Sequence, residues 1–236
     1  GLQEAGHRRR GADRLEAAPG ALRQAGLAAS WQQLRRTFDQ ARRYRDFMWL
    51  MACAVCYQGG VAVAIALAAI YAEQVIGFQP QETMVLIFAL NAAAAVGALG
   101  WGHLQDRIGH RLALALTLVG WIATCVIAAL ATSKEAFWWA ASIAGICMGS
   151  SQSAGRALAG LFAPPRQLAE FYGLWTVALR LASILGPLSY GAITWATGGN
   201  HRLAILSTTA LFVAGLVLLW KVDVARGRAA ALRAEG

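Results

Sequence analysis

Seven polar side chains interrupt long apolar stretches of this 236-residue sequence: Gln58, Asn91, Gln152, Arg156, Thr176, Arg180 and Ser183. The two arginines set the chemistry. A guanidinium in apolar surroundings holds a carboxylate through paired hydrogen bonds, a geometry that lysine cannot reproduce. Arg180 shares a helical face with Thr176 and Ser183, and Arg156 shares one with Gln152. No Asp or Glu lies deep in the same stretches; Glu170 and Asp106 stand at their edges. Two interior cations without an internal counterion need one from a missing part of the structure or from a bound solute. The expectation is therefore an anionic or zwitterionic, carboxylate-bearing small molecule.

Residue types for covalent or metal chemistry do not assemble. Cys53-Ala-Val-Cys56 has the spacing of a redox or metal pair, and its i,i+3 register puts both sulfurs on one helix face. No second cysteine pair, nearby histidine or βαβ context completes it, so Cys53, Cys56, Cys125 and Cys147 read as small packing residues. His7, His103, His110 and His201 all fall in expected loops. No enzyme activity, cofactor or metal is expected.

The elements that position these side chains follow from composition. The chain is 58% hydrophobic and 14% charged, with nine Trp. Six apolar runs account for this, near residues 47–71, 83–101, 112–132, 137–162, 171–196 and 203–222. Each is about the 20 residues that a helix needs to cross a bilayer core of roughly 30 Å. They are too long for barrel strands and lack strict alternation. An Arg in mid-span costs at least about 2.5–3.5 kcal/mol on insertion scales, so it must face a bundle interior or cavity. Arg180 lies ten residues from Glu170, roughly 15 Å in, and Arg156 roughly 9 Å from the end of its run.

The net charge of +9 invites a nucleic-acid reading, but its distribution excludes one. Ten Arg precede Phe47, two lie at 107 and 111, one at 166, and four Lys or Arg follow from Lys221, against Lys134 and Arg202 on the other side. This asymmetry places both termini in the cytoplasm. Residues 1–46 read as a basic cytoplasmic linker. Within it, Ser30 and Gln33 form a capping box that opens an amphipathic helix over 30–46, with Trp31, Leu34, Phe38 and Ala41 on one stripe and arginines facing lipid headgroups. Residues 47–222 form the six-helix bundle and 223–236 a cytoplasmic tail. Glu73 and Glu82 flank an outer loop and read as solvated, Asn91 as a bond to a neighbouring helix, and Gly186-Pro187 as a break or kink.

Gly102-His-Leu-Gln-Asp106-Arg107-Ile-Gly109-His-Arg111 reads as a ten-residue hairpin at the inner face, with two glycines turning it. Its Gly102, Asp106, Arg107, Gly109 and Arg111 resemble the loop motif of the major facilitator superfamily of secondary transporters. Further residues sharpen the resemblance: Gln152-Ser-Ala-Gly-Arg156, Phe162-Ala-Pro-Pro165, Glu170-Phe-Tyr-Gly-Leu-Trp175, Leu185-Gly-Pro187, Tyr57–Val61 and Leu90-Asn91. They resemble the vacuole-effluxer branch, the autophagy-related "unknown major facilitator" group. The chain departs from that pattern at Gly155, where the group has Ser, at Gly59, often Asp, and at Gln105, often acidic.

The resemblance implies an all-α integral membrane fold, the carboxy-terminal six helices of a twelve-helix transporter. Asp106 would meet a helix N-terminus of the opposite half and latch one state, through attraction to the helix dipole. The implied function is secondary active transport of a small solute by alternating access, with amino-acid efflux as the group's known proposal. A non-transporting membrane sensor or scaffold is the alternative. Expected partners are the solute, the lipid bilayer and an amino-terminal six-helix half, with no nucleic acid. The chain opens without a Met on a basic stretch, so it is expected to be a fragment, with a self-dimerising half transporter as the other possibility. A bacterial cytoplasmic membrane is the expected location.

Overall fold

The computed structural model describes residue 32 and residues 35–233. The expected capping box of Ser30 and Gln33, with Trp31 and Leu34 of the stripe, lies outside the described residues. Residues 35–41 are helical and end in a turn at Arg42–Arg43.

From Tyr44 onward, six long helices and one short one make a separate unit: α1 (Arg45–Tyr71), α2 (Pro80–Ile108), α3 (His110–Leu130), α4 (Lys134–Phe162), α5 (Leu168–Ala196), α6 (His201–Trp220) and α7 (Val224–Arg233). The all-α, six-helix expectation holds. The end of this unit bearing Arg45, Gly109 and Lys221 is called inner below, and the end bearing Gly77 and Asn200 outer. Five of the long helices are apolar enough to cross a membrane. The exception is α4, where Ser142, the run Ser150-Ser-Gln-Ser153 and Arg156 lower the apolarity. Its 29 residues still extend about 43 Å at 1.5 Å per residue.

Local chemistry explains the boundaries. Gln79 and Glu82 form a reciprocal capping box at the start of α2, with Pro80 at the first helical position, where its missing N–H costs nothing. Ser133 and Asn200 cap α4 and α6 by accepting from Ala136 and Leu203 backbone N–H groups. Past α1 the chain makes one π-helical turn (Ala72–Ile76), closed by Gly77 at φ 82°. Pro164 and Pro165 end α4 through a short 3-10 turn, as their ring geometry dictates.

Three expectations are corrected. The charged hairpin is not ten residues long: α2 runs helically through Gly102, Asp106 and Arg107, and Gly109 alone, at φ 86°, makes the turn into α3. His103 therefore lies on a helix, and His110 and His201 open α3 and α6 rather than lying in loops. Of the break or kink expected at Gly186-Pro187, the break does not occur: Pro187 lies inside α5, which continues to Ala196, and neighbouring helices support a proline inside a membrane helix. At that level Gly186 is pressed on the backbone of Gly59, where an added Cβ would collide with the Gly59 carbonyl.

Packing proceeds as an open ring in the order α2, α4, α3, α6, α1, α5, with α2 and α5 at its two ends. Close approaches of backbone make the seams. Gly145 and Gly149 of α4 abut the carbonyls of Leu90 and Ala94 of α2, and Gly97 of α2 faces the backbone of Ile146. Between α3 and α6, Trp121 stacks on Phe212 at 5.2 Å, over Gly60 of α1. Tyr71, Phe78 and Phe137 fill the outer end with Leu86, Ala128 and Ala140. Beside this cluster Glu82 accepts from Lys134, tying α2 to α4, so Glu82 is not merely solvated.

The inner end is clasped by charge. Asp46, 3% exposed at the start of α1, accepts from Nε and Nη2 of Arg226 at 2.8 and 2.6 Å. It also accepts from the Asp223 backbone N–H at 2.8 Å, while Asp223 accepts from the Arg226 N–H and caps α7. This carboxylate holds the Arg226 pKa above its ordinary value. Gly227 of α7 lies directly on the Phe162 ring at the inner end of α4.

Candidate functional site

Because α2 and α5 end the ring, each keeps one broad uncovered side. On α5, Gly173, Thr176, Val177, Arg180, Leu181, Ile184 and Leu188 form the exposed stripe. On α2, Met84, Phe88, Asn91, Val96, Leu99, His103 and Asp106 do so. Between them α4 carries Gln152 and Arg156, and α1 carries Gln58.

The structure brings only some of the candidate residues together. Gln58 Nε2 donates to Gln152 Oε1 at 3.3 Å, joining α1 to α4. Arg156 is exposed near the inner end of α4, and its backbone carbonyl accepts from the Tyr172 hydroxyl of α5 at 3.2 Å. Gly160 makes room for that tyrosine, so the α4 glycine spacing serves contact with α5 as well as α2. Arg180 stands near the middle of α5 and is exposed. Neither arginine side chain has a hydrogen-bond or ion-pair partner among the described residues.

The hydroxyls beside Arg180 are turned to their own helix: Thr176 donates to the Tyr172 carbonyl and Ser183 to the Arg180 carbonyl. Asn91 likewise donates to the Ile87 carbonyl of its own helix, which corrects the expected bond to a neighbour. Such back-bonds satisfy a polar group in apolar surroundings yet leave its acceptor oxygen free.

A cavity of about 240 Å³ lies outward of the Gln58–Gln152 pair. Its walls are mainly apolar residues of α1, α2 and α4, among them Val63, Leu67, Leu90 and Ala144, with Trp121 and Thr124 of α3, Tyr190 of α5 and Ile205 of α6. Of the seven candidate residues only Asn91 lines it. Met148, one turn outward of Gln152 on α4, forms part of its floor. A small uncharged group fits such a space, and an ion does not.

The conformational motif divides in two. Asp106 and Arg107 are exposed on the inner end of α2, and Gly102 is an ordinary helical residue with open space around it. Arg111 instead donates from Nη2 to the Trp220 carbonyl at 3.0 Å, capping the end of α6 with a cation. The motif glycine that matters locally is Gly109.

Sequence reasoning missed Tyr57, wholly buried beside Gln58, and the Asp46–Arg226 clasp. For the clasp, a signal existed in a lone Asp at the head of an apolar run and an Arg just past the last one. The cysteines are free thiols, three of them buried. Among the described residues no group of His, Cys, Asp and Glu is arranged to hold a metal.

Comparison with known proteins agrees with this architecture. The half-bundle resembles the Escherichia coli fucose:proton symporter FucP, with a TM-score of 0.69 at 18% identity over 79% of this chain and 45% of that one. It also resembles a bacterial homologue of the human lysosomal transporter Spinster, captured inward-facing, with a TM-score of 0.62 at 17% identity over 84% of this chain and 51% of that one. These likenesses establish the fold. By sequence the chain is 27% identical over 190 residues to an uncharacterised MFS-type transporter, YxiO, of Bacillus subtilis, covering 80% of this chain and 44% of the relative. It is 29% identical over 226 residues to autophagy-related protein 22-1 of Aspergillus fumigatus, covering 89% and 37%. The chain thus spans less than half the length of these relatives. The family model "Vacuole effluxer Atg22 like" matches residues 8–232. With its membrane-spanning helices and half-bundle fold, this chain is an integral membrane protein that belongs to the Atg22-like vacuole effluxer family of the major facilitator superfamily.

Proposed function

We propose that the chain is the carboxy-terminal half of a secondary active transporter that carries a small, carboxylate-bearing solute, such as an amino acid, across a membrane by alternating access. The observation that carries the reading is Arg180: a cation in the middle of a spanning helix, exposed on an uncovered side, without an acid among the described residues. An uncompensated guanidinium at that depth is expensive, and a partner that comes and goes explains its retention. The Gln58–Gln152 pair supplies uncharged donors and acceptors one helix away. The apolar cavity outward of it suits the solute's uncharged portion.

In this reading the uncovered sides of α2 and α5 meet an amino-terminal six-helix half. Exposed Asp106 approaches a helix N-terminus of that half and stabilises one of the two access states. Both termini are cytoplasmic, in keeping with the basic residues at the inner end.

The test is Arg180→Ala beside Arg180→Lys in the whole transporter, with melting temperature and solute affinity measured on the same purified protein. Loss of one charge-assisted contact weakens binding by about 1.5–3 kcal/mol, roughly ten- to a hundred-fold, and Lys recovers only part of it. Normal affinity in Arg180→Ala together with lowered thermal stability would sink the substrate role and leave Arg180 a structural cation.

A further inference from the structure

A groove of about 460 Å³ at the inner end takes no part in the proposed transport site. It lies where the first turn of α3, the last turn of α6 and the head of α7 meet, and His110, Arg111, Leu112 and Trp220 line it. Its other lining residues are apolar or glycine, and no Asp or Glu is among them. α3 and α6 have 21 and 20 residues, about 30 Å each at 1.5 Å per residue, which matches a bilayer core. Their inner ends therefore stand at the level of lipid headgroups, where an exposed tryptophan such as Trp220 is at home. α3 and α6 also hold the middle of the ring, away from the uncovered sides of α2 and α5.

The groove has a cationic head and an apolar run leading from it. Arg111 gives Nη2 to the Trp220 carbonyl at 3.0 Å, which fixes the guanidinium at the rim before any ligand arrives. A guanidinium carries five N–H donors in a planar fork, so that one bond leaves it able to grip a phosphate. The positive end of the α3 dipole lies in the same turn and adds to the attraction. Lys221, next to Trp220, is turned onto the Trp49 ring of α1, 4.5 Å from its centroid, so Arg111 supplies the fixed charge here. Outward of the rim, Leu112, Leu116 and Val119 make one exposed stripe on α3, and Val213, Val217 and Trp220 another on α6. Leu112 and Trp220 share the groove, so the two stripes leave it as the banks of an apolar furrow along the α3–α6 seam.

We propose that this groove is a binding site for one phospholipid with a net anionic headgroup, its phosphodiester on Arg111 and an acyl chain along the α3–α6 furrow. A free inorganic anion would use the head of the site and leave the furrow empty, whereas a lipid uses both. A zwitterionic headgroup brings an ammonium, and no acid lines the groove to receive it; net anionic lipids are therefore preferred. Bound there, the lipid touches α3, α6 and α7 together and stabilises the folded bundle by mass action. The assignment stands on the groove and its charge, independently of which solute the protein moves.

The test is a titration of the full-length protein in neutral detergent with phosphatidylglycerol, with phosphatidylcholine of the same chains, and with inorganic phosphate. At saturation phosphatidylglycerol raises the melting temperature by roughly 2–5 °C, phosphatidylcholine by less than half as much, and inorganic phosphate leaves it unchanged. Arg111→Gln binds phosphatidylglycerol about tenfold more weakly and loses its advantage over phosphatidylcholine. Arg228→Gln, which removes an exposed cation of α7 that does not line the groove, keeps that advantage. Because Arg111 also caps α6, the shift on adding lipid is compared within each variant, whatever its starting melting temperature. Arg111→Lys keeps a cation at the cap and loses the fork, and it retains less than half of the advantage; this variant decides the matter if Arg111→Gln yields no folded protein. Equal shifts from the two lipids, an undiminished advantage in the Arg111 variants, or an equal loss in Arg228→Gln overturns the site. A shift from inorganic phosphate as large as that from phosphatidylglycerol overturns the lipid as its occupant.

Discussion

α2 and α4 have the same length, 29 residues, and are each other's principal partners, yet they solve opposite problems. α2 is apolar enough to cross a membrane by composition and buries four residues: Thr83, Leu86, Gly97 and Gln105. α4 fails that criterion and buries thirteen. In water the more apolar helix goes inside. In a bilayer the lipid tails are as apolar as any core, so apolarity earns no place in the centre. What draws a helix inward is small residues that admit a neighbour's backbone and polar groups that need shelter. α4 has both, in Gly145, Gly149, Ser150, Ser151 and Gln152. α2 keeps Met84, Val85, Phe88 and Leu99 outward, all more than half exposed.

This contrast can be broken at three positions of decreasing consequence. Gly149→Val puts a branched side chain where the Ala94 carbonyl of α2 already lies, and neither backbone can yield. The expected cost is about 3 kcal/mol or more, seen as loss of folded protein after purification. Gly100→Val on α2, where an added Cβ meets nothing within 4 Å, should purify like the parent. Equal yields from the two would mean that the seam between the helices is not where α4 gains its place.

The polar half of the argument is milder. Gln152→Leu leaves the buried Gln58 amide without its partner and should cost about 1–3 kcal/mol. Gln58→Leu with Gln152→Leu should recover much of that stability, because two apolar groups replace a satisfied pair. Chemical denaturation of the three variants measures the coupling; additive losses would show that the pair contributes nothing jointly. Smallest of all is Asn91→Leu, whose amide serves only the Ile87 carbonyl of its own helix. Stability should stay within about 0.5 kcal/mol of the parent. A larger fall would place the uncovered side of α2 among the packed surfaces.

How far this was legible beforehand differs by level. All six long helices could be read from apolar runs, α4 included, because even a diluted run is long and free of strand alternation. The face of α4 shared by Gln152 and Arg156 was equally visible from their spacing. The inner end of α2 was misread because Asp106 and Arg107 look like loop residues, although nothing before Gly109 obliges the backbone to leave the helix. Glu82 was assigned to water because its partner is 52 residues away, beyond any local pattern. Tyr57 was visible only as part of the Tyr57–Val61 stretch; that its side chain is wholly buried depends on helices far away in the sequence.

The clasp at the inner end has a consequence for how the molecule is made. Asp46 enters the membrane region with the first helix, and the Arg226 that neutralises it emerges 180 residues later. Throughout synthesis of the intervening helices, that carboxylate must remain at the water boundary, able to stay hydrated. Only arrival of α7 allows it to be buried. A ribosome that stops short at Val222 would release a bundle whose first helix still carries a solvated acid beside the foot of α4. α7 thus completes the burial of Asp46, and a truncation or fusion joint placed before Asp223 would forfeit it.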